Sequence, residues 1–206
     1  GDVYKRQLLK GFEDITASEE YAVAWLDLLS SRQPGRGVVR SASIYQHGQA
    51  MAKPKRFNQI RIPKPRNLNV VLPPICRSHN KLKYLMSSIA KDSRVTSIQN
   101  YLFPLDRVRN WNQLYGKSGL IQWQFILPDK ETSLLEEIIV GFSKTSALPA
   151  LAVLKRCGKA SESYLSFCSP GWTLAIDLPA TQDSYHYINE FNSRISSAAV
   201  SYTHLR

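Results

Sequence analysis

Two glutamines one residue apart, a lysine and a threonine are the residues of this chain best equipped to hold a polar small molecule. Gln122 and Gln124 lie in LIQWQFILP, Lys155 in VLKRCG and Thr173 in GWTLAIDLP. A carboxamide both donates and accepts hydrogen bonds, an ammonium only donates, and a hydroxyl does either. Together they suit a ligand rich in hydroxyls and oxygens. Side chains alternate between the two faces of a strand, so Gln122 and Gln124 share a face with Leu120 and Ile126. Ile121, Trp123, Phe125 and Leu127 form the other. Along 172–178, Trp172, Leu174, Ile176 and Leu178 are apolar partners, with Thr173, Ala175 and Asp177 opposite. Lys155 shares its face with Leu151 and Val153.

The polar face admits two readings. A one-sided antiparallel sheet ordinarily turns its polar face to water. Here that face is sparse and mixed, with carboxamides among aliphatic neighbours, as in a pocket where a few polar groups set orientation.

The elements that must position these residues follow from the pattern. Residues 21–29 and 36–45 read as strands around SSRQPGRG, with Tyr21, Val23 and Trp25 on one face. Residues 81–90 read as a short helix and 95–103 as a strand. Asp106 is placed to cap a helix through Tyr115, ended by Gly116, with Val108, Trp111 and Tyr115 along one stripe. Strand 120–127, helix 130–144, strand 149–156, strand 172–178 and helix 182–197 follow. Leu134, Leu135, Ile138, Ile139 and Phe142 form one apolar stripe, and Ile188, Phe191 and Ile195 another. The order βαββα is most of a ferredoxin-like split βαβ unit. The expected fold class is α+β, a mainly antiparallel sheet with helices on one face, incomplete at both ends, with a last strand due after residue 198.

The 206 residues suffice for one domain, and 43% apolar with 21% charged residues excludes a disordered chain. Three cysteines, Cys76, Cys157 and Cys168, lack metal-ligand spacing, so no metal site and no disulfide framework is expected. No apolar run reaches the length of a membrane span, and no signal peptide is visible. The net charge of +11 gathers partly in KPKRFNQIRIPKPR, 53–66, where three prolines exclude a helix or central strand. This basic loop, about 50–79 with its flanks, reads as a solvated surface loop or as a mobile lid facing a phosphate or an anionic membrane surface. A basic nucleic-acid-binding protein is the alternative reading of this charge, but without a recognition motif or stacking platform no nucleic-acid partner is expected. GDVYKRQ (1–7) and SYTHLR (201–206) resemble adaptor-derived text and are set apart from the fold, leaving 8–200 as the domain.

AWLDLLS at 24–30, PLDRVRNWNQLYG at 104–116, LIQWQFILP at 120–128, VLKRCG at 153–158 and LSFCSPGWTLAIDLP at 165–179 carry a family resemblance. From about Tyr21 to Ala198 the chain resembles the substrate-binding, or cap, domain of decaprenylphosphoryl-β-D-ribose 2-oxidase-like flavoenzymes, within the vanillyl-alcohol oxidase and aldonolactone oxidase group. The resemblance implies oxidation of a sugar hydroxyl to a ketone, with FAD accepting a hydride, in cell-envelope polysaccharide synthesis. The substrate would be a lipid-linked pentose, or a free lactone for an aldonolactone oxidase, and a reductase partner is possible. The matching substrate-binding positions are Trp25, Gln122, Gln124, Val153, Lys155, Thr173 and Ala175. Some members carry Asn and Cys where Thr173 and Ala175 stand, and an aromatic where Cys157 stands, which bears on the substrate more than on the reaction. The family's Gly-rich FAD-binding domain, its histidine and its late lysine have no counterpart here, so no catalytic residue is expected within this stretch. The expected location is cytoplasmic or peripheral at a membrane.

Overall fold

The computed structural model describes residues 2–44, 60–62, 69–89, 95–158, 170–198 and 201–205. Its frame is a six-stranded sheet. A hairpin starts it: β1 (Tyr21–Asp27) and β2 (Arg36–Ala42) pair antiparallel with Asp27 opposite Arg36. Gly35, at φ 76°, supplies the left-handed residue at the turn, where its backbone N–H donates to the Asp27 carbonyl at 3.2 Å. Two short strands, β3 (Ile60–Arg61) and β4 (Val108–Arg109), form a separate parallel pair. The remaining strands are β5 (Leu120–Pro128), β6 (Leu151–Cys157), β7 (Gly171–Pro179) and β8 (Ser201–Leu205).

The main sheet runs β2-β1-β6-β7-β5-β8, and every neighbouring pair is antiparallel. Counted from β5, its last four strands have the spatial order of a complete split βαβ unit, with β7 inserted between β5 and β6. The β1–β2 hairpin extends that unit at its β6 edge. The strand due after residue 198 is β8, which lies in a stretch set apart on sequence.

Among the described residues five α-helices accompany the sheet: α1 (Asp2–Ser18), α2 (Pro73–Ile89), α3 (Ile98–Leu102), α4 (Thr132–Gly141) and α5 (Gln182–Ala198). The fold is α+β, as its pattern implies. Side chains from α1, α4 and α5 bury the apolar sheet face. Phe12, Leu135, Ile138 and Ile195 reach zero exposure there, beside Trp123, Phe125, Leu127, Trp172, Leu174 and Ile176. At roughly 1.5–3 kcal/mol for each large side chain fully buried, this layer dominates the stability of the fold. The Tyr187 hydroxyl donates to the Ile138 carbonyl at 2.6 Å and ties α5 to α4.

Three local expectations are corrected. The loop expected to run to His79 gives way to helix at Pro73. Pro73 and Pro74 occupy the first turn, where a missing N–H costs nothing, and the first helical bond runs from Cys76 N–H to the Leu72 carbonyl at 2.9 Å. The strand expected at 95–103 is instead α3. Ser97 caps it by accepting the Asn100 N–H, and this local bond overrides the strand preference of the flanking Val and Ile. The helix expected from Asp106 to Tyr115 is two 3₁₀ segments, Pro104–Arg107 and Trp111–Ser118, split by β4 and by Asn110 at φ 63°. Of the basic loop, residues 60–61 form β3, and the Ile62 N–H bonds to the Arg109 carbonyl. Most of 53–66 lies outside the described residues. Among the described residues no helix is long and apolar enough to cross a membrane.

Candidate substrate-binding wall

The polar face opposite α1, α4 and α5 is assembled by register. Antiparallel partners share a face, so the pairings lay out rows across the sheet. One row holds Trp25, Val153, Ala175 and Gln124. The next toward the far end of β6 holds Arg40, Val23, Lys155, Thr173 and Ile126. On the other side, Leu151, Asp177 and Gln122 are paired in line. All seven residues expected to bind substrate therefore stand on one continuous surface over four strands.

Part-buried hydrogen bonds fix the carboxamides. Gln122 donates Nε2–H to Asp177 Oδ1 at 3.0 Å, and Gln124 donates more loosely to Thr173 Oγ1 at 3.5 Å. Each glutamine thus spends an N–H on a bond within the sheet. Asp177 is 2% exposed, and its second oxygen has no partner among the described residues. Burial raises its pKa, and the Gln122 bond opposes that rise. Lys155 is exposed, whereas Thr173 is buried.

Two elements close the ends of this surface. At the Asp177 end, Tyr115 packs with Leu29, Val71, Cys76 and Leu148, against Leu120 and Ala150. Burial, then the nearby Asp177, pushes the Tyr115 phenol well above its ordinary pKa. At the Trp25 end, α2 lies against the hairpin. Asn80 donates to Asp27 Oδ1 at 2.9 Å, while Arg36 bonds the other oxygen, also at 2.9 Å. Lys83 places Nζ 4.1 Å above the centre of the Trp25 ring. Trp25 is buried, but beneath α2 on the polar face rather than in the helical core.

Asp177 and Lys83 did not emerge from sequence as site residues. Asp177 had the right parity, and its signal was a carboxylate paired with Gln122. Lys83 became legible only with α2, whose Cys76, Asn80, Lys83 and Tyr84 follow helical spacing along the face turned to the sheet. Among the described residues no group of His, Cys, Asp and Glu could hold a metal ion.

Decaprenylphosphoryl-beta-D-ribose oxidase of Mycolicibacterium smegmatis is 25% identical over 189 residues, covering 87% of this chain. The chain is similar to that oxidase. The resemblance drawn from the quoted motifs is borne out, and the chain spans about 40% of the length of this relative. No protein-family model matches the chain.

An FAD pyrophosphate needs backbone N–H groups opened to it by glycines. Here the glycines whose missing Cβ matters are filled from within. Gly35 faces Ile139, Gly37 the Trp25 carbonyl, Gly141 the Tyr187 ring and Gly171 the Leu127 carbonyl. These four glycines therefore offer no cradle for an FAD pyrophosphate.

Proposed function

We propose that this chain is the substrate-binding part of an FAD-dependent oxidoreductase that converts a sugar hydroxyl to a ketone. The preferred substrate is a pentose linked through phosphate to a polyprenyl lipid. The observation that carries the proposal is the single surface joining Gln122, Gln124, Lys155, Thr173 and Trp25, in a chain similar to a decaprenylphosphoryl-ribose oxidase. The flavin would be held by sequence outside this chain.

The chain's share of the work is the sugar side. Gln122 and Gln124 accept hydroxyl hydrogens through oxygens whose orientation is set by Asp177 and Thr173. Val153 and its cross-strand partner Ala175 provide an apolar floor for the ring, with Trp25 beside them under α2. The Lys155 ammonium donates to a substrate oxygen and stabilises the negative charge that develops as the hydroxyl proton leaves. A loop at 53–66 facing an anionic membrane surface would suit a substrate with a lipid tail. A free aldonolactone would use the same surface without needing a phosphate site.

Joining the chain to the flavin-binding part of the mycobacterial relative tests this reading. Lys155→Ala should lower kcat/KM by about a hundredfold, the scale of losing one charge-stabilising donor. Unchanged turnover would remove Lys155 from the site.

A further inference from the structure

Lys83 is an unusual lysine for a helix surface. Its ammonium sits over an indole face, half-buried, with Arg40 close enough to depress its ionisation. Arg40 and Lys155 are both cross-strand partners of Val23, so the two cations flank the strand that carries Trp25. Glu19 accepts from the Ser43 hydroxyl and Glu20 from the Ile44 N–H at 2.7 Å. Among the described residues no ion pair joins Arg40, Lys83 or Lys155 to a carboxylate.

Three like charges on one patch repel each other, and partial burial removes water from the innermost of them. Desolvation first, then Arg40, lowers the Lys83 pKa to about 8. The indole fixes the ammonium from one side but accepts no conventional hydrogen bond. An anion arriving from the open side would replace the lost water and relieve the repulsion. Phosphate fits this patch best, because a guanidinium presents paired N–H donors to it and an ammonium supplies a point charge.

We propose that Lys83, seated over Trp25 with Arg40 and Lys155 beside it, forms a phosphate-binding subsite at the β1 end of the wall. The subsite takes the phosphate ester attached to the sugar whose ring lies across Val153, Ala175 and Gln124. Its assignment to a sugar phosphate rests on the sugar-oxidase reading; the anion site itself does not.

Trace acetylation of the intact chain by acetic anhydride, mapped by mass spectrometry, reports the titration of Lys83 directly. In the free protein its reactivity should rise with a midpoint of about 8. Saturating pentose 1-phosphate should move that midpoint up by about one unit, a tenfold fall in reactivity at neutral pH. Arg40→Ala should raise the ligand-free midpoint and shrink the shift that phosphate produces. Inorganic phosphate should act at higher concentration, and vesicles containing phosphatidylglycerol should not act. A shift with vesicles but not with pentose 1-phosphate would reassign the site to a lipid headgroup and overturn the proposal. No shift with any phosphate would overturn it outright.

Gln122→Ala separates the two readings. If it weakens pentose 1-phosphate but not inorganic phosphate at Lys83, sugar wall and anion site both stand. If neither changes, the anion site survives and the sugar wall fails. A sugar response at Gln122 with a fixed Lys83 midpoint sinks the anion site alone.

Discussion

Asp177 shows how one buried carboxylate sets the polarity of its neighbour. By accepting the Gln122 N–H, it fixes which way that carboxamide turns, and in the proposed site this leaves the oxygen for the sugar. Its raised pKa makes stability depend on pH with a definite sign. A carboxyl whose folded pKa lies above its unfolded value contributes stability that is fully present below the unfolded pKa, about 3.9. That stability is lost as pH rises through the folded pKa. Asp177→Asn keeps an acceptor for Gln122 and removes the ionisation. Thermal unfolding from pH 4 to pH 8 should show the variant gaining on the parent as pH rises towards the folded pKa, and the gain levelling off above it. Parallel curves would mean that Asp177 stays as ionised folded as unfolded. Parity in the sequence put Gln122, Gln124, Thr173 and Asp177 on one face, because strand alternation depends on the backbone alone. Which glutamine atom bonds to which neighbour depends on cross-strand register, and sequence periodicity does not contain it.

At the scale of elements, β5, α4, β6, β7 and α5 were legible because each carries a long, clean periodicity. The misread segments are short or governed by a single local bond. The Ser97 cap decides α3 against a β-branched run, and Pro73-Pro74 starts α2 where two prolines suggested loop. The helix α1 went unread, although Phe12 from it is wholly buried against the Trp172 ring, 5.7 Å away. The placement of α2 matters most for the site, and it depends on Asn80 reaching the buried Asp27. Asn80→Ala should cost about 1–3 kcal/mol, the range for leaving a buried polar partner unsatisfied. Hydrogen exchange should then show α2 amides losing protection while those of β5 and β7 keep theirs. Equal loss in all three elements would indicate that α2 has no separate attachment.

On the scale of the whole molecule, a split βαβ sheet extended by a hairpin has two faces with different tasks. Helices α1, α4 and α5 cover one with an apolar core. The other keeps a surface of carboxamides, a threonine and a lysine, closed at its ends by α2 and by the segment around Tyr115. The central claim is that this second face holds a sugar. Titrating the isotopically labelled chain with a pentose 1-phosphate, while recording the side-chain amides of its glutamines, tests the claim most directly. A lone half-site should bind weakly, with a Kd of about 1 mM, or −4.1 kcal/mol. The account predicts saturable shifts of the Gln122 and Gln124 carboxamides with that affinity, while glutamines remote from the wall, such as Gln182, stay still. A saturable response elsewhere with these two carboxamides unmoved would contradict it.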